Sequence, residues 1–144
     1  MAAAYDPQNV FAKILRGEIP SHKVYEDEVA LAIMDIMPRA EGHVLVIPKT
    51  PARGLLDIGA ADLAQLITRV QHVARAAKTA FGADGLTLQQ FNESAGGQVI
   101  FHLHFHILPR FEGVGLRPPG TLGDDATLAL QAEKIRAALA ASSG

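Results

Sequence analysis

Three of the six histidines in this chain stand at 102, 104 and 106, alternating with Phe101, Leu103, Phe105 and Ile107. Alternation with period two is the pattern of a half-buried β-strand, and side chains at i, i+2 and i+4 of a strand share one face. The spacing predicts a strand from about Val99 to Leu108, stopped by Pro109, with three imidazoles in a row on one face and apolar residues on the other. A strand that only builds core has no use for such a row, which makes it a candidate site.

Two chemistries suit the row. Neutral imidazole is a common metal ligand, and a His-x-His pair ~6.5–7 Å apart can pinch one ion. The third imidazole would lie ~13 Å from the first, too far to share bonds of ~2 Å, and no neighbouring carboxylate completes a ligand set. A metalloenzyme using His102 and His104 is therefore the weaker of the two. The other chemistry is nucleophilic or acid–base catalysis. Histidine titrates near pH 6.5, so a neutral fraction is available at pH 7 to attack phosphorus while a neighbour donates a proton. The preceding Gly96-Gly97-Gln98 offers little side-chain bulk, so its N–H groups are placed to approach an anion. Asn92 and Gln98 add amide donors, and Arg110, with Lys49 and Arg53, offers positive charge.

The elements that must position this row are readable. Asn9 to Arg16 reads as a short amphipathic helix, capped by Asn9 and stopped by Gly17, after a loose arm over residues 1–8. Residues 22–26 and 29–34 read as a hairpin around Glu26-Asp27-Glu28. A Pro/Gly loop from Asp35 to Gly42 leads to a strand His43–Pro48, apolar on both sides and so central. Residues 61–81 form an amphipathic helix with Leu63, Leu66, Ile67, Val70, Val73, Ala74, Ala77 and Phe81 at spacings of three and four, ended by Gly82. Leu86 to Phe91 is a further strand. After a Gly/Pro-rich loop from Glu112 to Gly123, a last helix over about 124–141 carries Leu128, Leu130, Ile135 and Leu139. His22 and His72 read as ordinary solvated or packed residues. The pattern is α+β: a five-stranded antiparallel sheet with one long helix and short terminal helices.

The 144 residues suit one domain over 1–144, with a core at about 9–110 and a C-terminal loop and helix over 111–144. With 13 basic and 15 acidic residues, a net charge of −2 argues against binding nucleic acid by charge. The absence of cysteine excludes disulfides and thiolate chemistry. No secretory signal or membrane-length apolar run is readable, which makes a cytoplasmic location the expectation, with no membrane partner.

The stretch His102-Leu103-His104-Phe105-His106-Ile107-Leu108 resembles the His-φ-His-φ-His-φ-φ signature (φ apolar) of the histidine triad (HIT) family. Phe11-Ala12-Lys13-Ile14, Glu18-Ile19-Pro20, Asp35-Ile36, His43 to Lys49, and Asn92 followed by Gly96-Gly97-Gln98 also fall in that family's order, over roughly residues 10–110. The Hint-like and bacterial hydrolase branches are the most similar. The resemblance implies a homodimer and chemistry at the α-phosphate of a purine nucleotide; no cofactor and no metal are expected. It implies that His104 is the nucleophile, forming a nucleotidyl-imidazole that water hydrolyses, with His106 as proton donor and His102 and His43 as orienting residues. It places Asn92, Gly97, Gln98 and the Val99 N–H on phosphate, Asp35 on ribose, and Phe11, Ile14, Ile19 and Ile36 around sugar and base. Purine nucleoside phosphoramidates are the first substrates it suggests, dinucleoside polyphosphates the second; a nucleotide-binding protein with little catalysis is the other outcome. The chain departs from the pattern at Val99, where relatives often carry a hydroxyl, at Pro109-Arg110, and in the tail from Leu116 to Gly120.

Overall fold

In the computed structural model, which describes residues 4–142, the first element follows directly from Asn9. Its side-chain oxygen accepts from the Ala12 N–H at 2.9 Å and so caps the helix Val10–Leu15 (α1). Lys23–Glu26 (β1) and Ala30–Met34 (β2) form the expected hairpin, whose turn is built by Asp27. That carboxylate accepts from the Val29 and Ala30 N–H groups. Val44–Pro48 (β3), Ala60–Phe81 (α2), Gly85–Gln89 (β4), Phe105–Arg110 (β5) and Asp125–Ser142 (α3) follow. The strands make one sheet in the order β1-β2-β3-β5-β4, with every neighbouring pair antiparallel. The α+β expectation holds with one correction: the C-terminal helix is not short, at 18 residues against 22 for α2.

Alternate residues of β2 and β3 go to opposite faces of the sheet. Ala30, Ala32, Met34, Val44 and Val46, with Phe105 and Ile107, join Leu66, Val70 and Val73 of α2 and Leu128 and Ile135 of α3 in the larger core. Leu31, Ile33, Leu45 and Ile47 meet Phe11 and Ile14 of α1 on the other face, with Ile19 at its margin. Burial from both sides accounts for the unbroken apolar runs of these strands. The small helix α1 covers only part of its face. His106 pairs with Leu45 across the ladder, so it lies on this same face, beside the part that α1 covers.

Several expectations change in detail. The α2 stripe is not wholly core, since Ile67 is 42% exposed. In α3 the buried residues are Leu128, Ala132, Ile135 and Leu139, whereas Leu130 faces solvent. Of the arm over residues 1–8, the first three lie outside the described residues. The rest is not loose, because Tyr5 bonds to His102 and the Pro7 carbonyl accepts from Arg16. Among the described residues no helix is long and apolar enough to cross a membrane.

One glycine ties the loop before β3 to α2. Gly42 is buried with φ +79°, and a Cβ there would meet the Phe81 ring at 2.4 Å. Gly17 has the same φ but open space around it. Gly42→Ala is expected to cost about 2–4 kcal/mol and Gly17→Ala about 1 kcal/mol. Urea unfolding of the two variants measures both, and the difference isolates the clash with Phe81.

Candidate functional site

β5 does not carry the whole histidine row. Its ladder with β3 begins at Val46↔Phe105, so only His106 is a strand residue, and the strand runs on through Pro109 to Arg110. Pro109 is tolerated because the β3 ladder has already ended at Val44↔Ile107, leaving no bond on that side for its missing N–H to break. Upstream, Leu103 donates to the Ala52 carbonyl, His102 Nε2 to the Pro48 carbonyl, and His104 Nδ1 to the His102 carbonyl. Side chains that compete for main-chain acceptors have replaced the ladder that their spacing predicts. The alternation survives in part: Leu103, Phe105 and Ile107 go to the helix-covered core, while Phe101 lies under the Arg53 guanidinium at 4.2 Å.

The hydrogen bonds assign the protons. A carbonyl accepts only, so His104, bonded to the His102 carbonyl at 2.7 Å, carries its proton on Nδ1 and keeps the Nε2 lone pair. Among the described residues no partner occupies that Nε2. His102 carries its proton on Nε2, toward the Pro48 carbonyl at 2.9 Å, and its Nδ1 accepts from the Tyr5 hydroxyl at 2.7 Å. The Arg39 N–H donates to His43 Nδ1 at 3.0 Å, so His43 carries its proton on Nε2 and donates it to His106 Nδ1 at 3.0 Å. His106 is then an Nε2–H donor. One imidazole offers a lone pair and its neighbour a proton, with ring centroids 5.0 Å apart.

Burial keeps the row neutral. It is the main cause that holds His43 down to about 3, helped by His106, Arg39 and His104. It likewise holds His106 down to about 4, with His104 and Arg39 adding to it. His102 and His104 are also lowered by burial, each partly offset by its bond to a carbonyl. Asp35 is raised by burial, against the Met37 N–H that its carboxylate accepts. Its other oxygen is 3.4 Å from His43 Nε2, close enough for an ion pair by distance. With His43 neutral and its one Nε2 proton directed to His106 at 3.0 Å, this is a close approach and not an ion pair.

The remaining predicted residues divide. Phe11 packs edge-on against His104 at 4.8 Å and His102 at 6.4 Å, and with Ile14 and Ile19 it forms the apolar wall beside the row. Ile36 is exposed next to Asp35. The amides of Asn92 and Gln98 are engaged elsewhere. Asn92 accepts from the Leu55 N–H and pairs with Gln90, while Gln98, 4% exposed, bridges Glu93, Arg53 and Ile100 of the main chain. The N–H groups of Gly96, Gly97 and Gln98 close their own turn over Ser94–Gly96, onto Glu93 and Ser94. Of this run, Val99 alone has an N–H with no acceptor among the described residues, and its side chain is 84% exposed. Gly97, at φ +96°, lets the turn lie on Phe91, whose ring meets His106 at 5.5 Å. Lys49 pairs with Glu26, Arg53 with Glu93, and Arg110 with Thr87, so none of the three expected cations is free at the row. His22 bonds Asp125 and His72 packs on Tyr25, both away from the row. Sequence reasoning missed Arg39, Tyr5 and Phe91. The tight turn of Arg39 four residues before His43 was the only signal that any of them left.

The HIT domain family pattern matches residues 16–113. The chain is 43% identical over 103 residues to the adenylylsulfatase HINT3 of Arabidopsis thaliana, covering 72% of this chain and 52% of that protein. A Hit-like protein from Bartonella henselae superposes with a TM-score of 0.91 at 53% identity, covering 94% of this chain and 99% of that one. A zinc-bound histidine triad protein from Mycobacterium smegmatis superposes at 0.83 with 35% identity, covering 94% and 96%. Here Asp35, His43 and His106 bring one ligand atom each to within 4.8 Å of one another. Their hydrogen bonds do not fit a metal. The Arg39 N–H occupies the Nδ1 lone pair of His43, and an ion on Nε2 would force a proton onto Nδ1, against that N–H.

The lowered pKa values carry a sign. Unfolded histidines take protons below about pH 6.5, whereas His43 and His106 refuse them until about 3 and 4. The unfolded chain binds more protons in that window, so stability is full above pH 6.5 and falls as the pH drops. Thermal melts should lose at least about 5 °C between pH 7 and pH 5. Replacing His43 with Gln should reduce that slope; a slope that does not change would show that these imidazoles are not the source.

Proposed function

The chain belongs to the HIT domain family, and from that premise we propose that it is a nucleotidyl hydrolase in which His104 attacks the α-phosphorus of a nucleoside 5′-phosphoryl compound. The observation that carries this reading is the bond from His104 Nδ1 to the His102 carbonyl, which leaves an unprotonated Nε2 with no partner among the described residues. In the first step Nε2 forms a bond to phosphorus, the bond to the leaving group breaks, and its electron pair departs with that group. His106 Nε2–H is the hydrogen-bond donor beside the departing atom. In the second step water attacks phosphorus, the P–N bond breaks, and the pair returns to His104. The nucleoside monophosphate leaves, and the proton of the water is released to solvent.

His102 holds the attacking ring through its carbonyl, and His43 holds His106 in the donor tautomer. The Val99 N–H serves a phosphate oxygen, supported by its having no acceptor among the described residues. Asp35 and Ile36 take the ribose, and Phe11, Ile14 and Ile19 the base. Purine nucleoside phosphoramidates, dinucleoside polyphosphates and adenylyl sulfate, the last suggested by the name of the Arabidopsis relative, all present the bond that this step breaks. We place the enzyme in the cytoplasm as a homodimer. The dimer reading is supported by the free edge of β4, where Leu86 and Leu88 are 37% and 47% exposed.

Two measurements test this. Mixing the protein with adenosine 5′-phosphoramidate and denaturing it within milliseconds in alkali should leave an adenylyl group on the peptide that holds His104. His104→Ala should lose the adduct and at least about 10³-fold in kcat, and full turnover by that variant would overturn the mechanism. Light scattering should give the mass of a dimer, shifting toward the monomer in Leu88→Asp.

A further inference from the structure

The residues ahead of α1 end on the histidine row. The Ala4 carbonyl accepts from the Arg53 guanidinium at 3.4 Å, and that guanidinium lies over the Phe101 ring at 4.2 Å. The next residue, Tyr5, donates its hydroxyl to His102 Nδ1 at 2.7 Å, with the two rings edge to face and 5.5 Å apart. Past it, the Asp6 carbonyl accepts from the Asn9 amide at 2.8 Å and the Pro7 carbonyl from Arg16 at 2.7 Å. Tyr5 is thus held from both sides, and residues 4 and 5 meet the partners of 101 and 102 in turn.

The surroundings of His102 give that contact its weight. The residue is fully buried, and a buried imidazole nitrogen without a partner is costly. The Pro48 carbonyl takes its Nε2–H at 2.9 Å, and the Leu103 N–H that follows goes to the Ala52 carbonyl at 2.8 Å. Both anchors lie at or just past the end of β3. Among the described residues, Tyr5 is the one hydrogen-bond partner of the ring from another part of the chain. With the ring and the next N–H fixed, the His102 carbonyl faces His104 Nδ1 at 2.7 Å. That carbonyl matters more once His104 has attacked. The attacking ring then bears phosphorus on Nε2 and a proton on Nδ1, so it is cationic, and a charged donor makes a hydrogen bond about twice as strong as a neutral one. An interaction that strengthens toward the adduct speeds the step and does not tighten binding.

Resting on the His104 mechanism above, we propose that Tyr5 is a positioning residue for the reaction: its hydroxyl fixes the His102 ring, and through it the carbonyl that holds His104 in the attacking tautomer. No bond to Tyr5 forms or breaks, and the hydroxyl keeps its proton throughout. Occupying Nδ1 also keeps a second proton off His102, whose charge would oppose the cationic adduct ring beside it.

Tyr5→Phe keeps the aromatic ring and removes only the hydroxyl. In the full chain it should lower kcat for adenosine 5′-phosphoramidate about 10-fold, while the affinity for adenosine 5′-monophosphate changes by less than about 2-fold. Nitrogen–proton correlation spectra of the histidine rings read the cause directly. In the unaltered protein His102 should show the Nε2–H form and His104 the Nδ1–H form. In Tyr5→Phe the His102 Nδ1 resonance should move to that of a free acceptor, and His104 should show both forms. On a His102→Ala background the same substitution should cost no further activity, since the hydroxyl has nothing left to hold. A role in folding alone would lower the urea midpoint and leave the ring spectra and the kcat of the folded protein unchanged, and that result would overturn the proposal. So would weaker binding of the monophosphate at unchanged kcat, which would make Tyr5 a substrate contact, or a further loss on the His102→Ala background. An unaltered protein that turns over no substrate removes the hydrolase reading and this proposal with it. One that turns over normally and is indifferent to Tyr5→Phe removes this proposal alone.

Discussion

A single proton placement organises the molecule. His104 gives its Nδ1 proton to the carbonyl two residues back, at 2.7 Å. That bond stops the chain from pairing as a strand before Phe105, holds the ring close to that of His106, and leaves a lone pair on the other nitrogen. Donors and acceptors around it follow in order. The Pro48 carbonyl and the Arg39 N–H each admit only one tautomer of the imidazole that they meet, and the Tyr5 hydroxyl then donates to the His102 nitrogen left unprotonated. Burial then prevents a second proton from undoing the assignment.

The sheet makes this possible by having two unequal faces. Helices α2 and α3 fill one face and bury the apolar half of the histidine segment. The other face is only partly covered by a helix of six residues, so polar rings share it with Phe11. A segment alternating imidazole with Leu, Phe and Ile is the sequence that such a face requires. Buried imidazoles need partners, and every one in this row has them.

Much of this was legible in the residues. The period-two pattern separated histidines from core, the three-and-four spacing gave α2, and Asn9, Asp27 and Gly82 marked ends and turns as their side chains or conformations require. Periodicity reports which face a residue takes, and it reported that well. It does not report what an imidazole bonds to, so the strand that it predicts reaches back to Val99, although His102 and His104 bond to main-chain carbonyls instead of joining a ladder. The amides of Asn92 and Gln98 read as donors for a ligand for the same reason: their type was visible, while the nearby main-chain groups that occupy them were brought there by folding. Arg39 was hidden differently, since its main-chain N–H, which no side-chain pattern encodes, is the part that meets His43.

Tyr5 and His102 are separated by 97 positions in the chain and meet through one hydroxyl. Contacts that span so much sequence close slowly, because the chain between them must first give up its freedom. During synthesis the tyrosine leaves the ribosome early and waits for the histidine row, which follows only after four of the five strands. The row is therefore among the last parts to reach its final arrangement. The finished row becomes a report on the whole fold, and a chain truncated before it has a sheet to build but no imidazole for Tyr5 to hold.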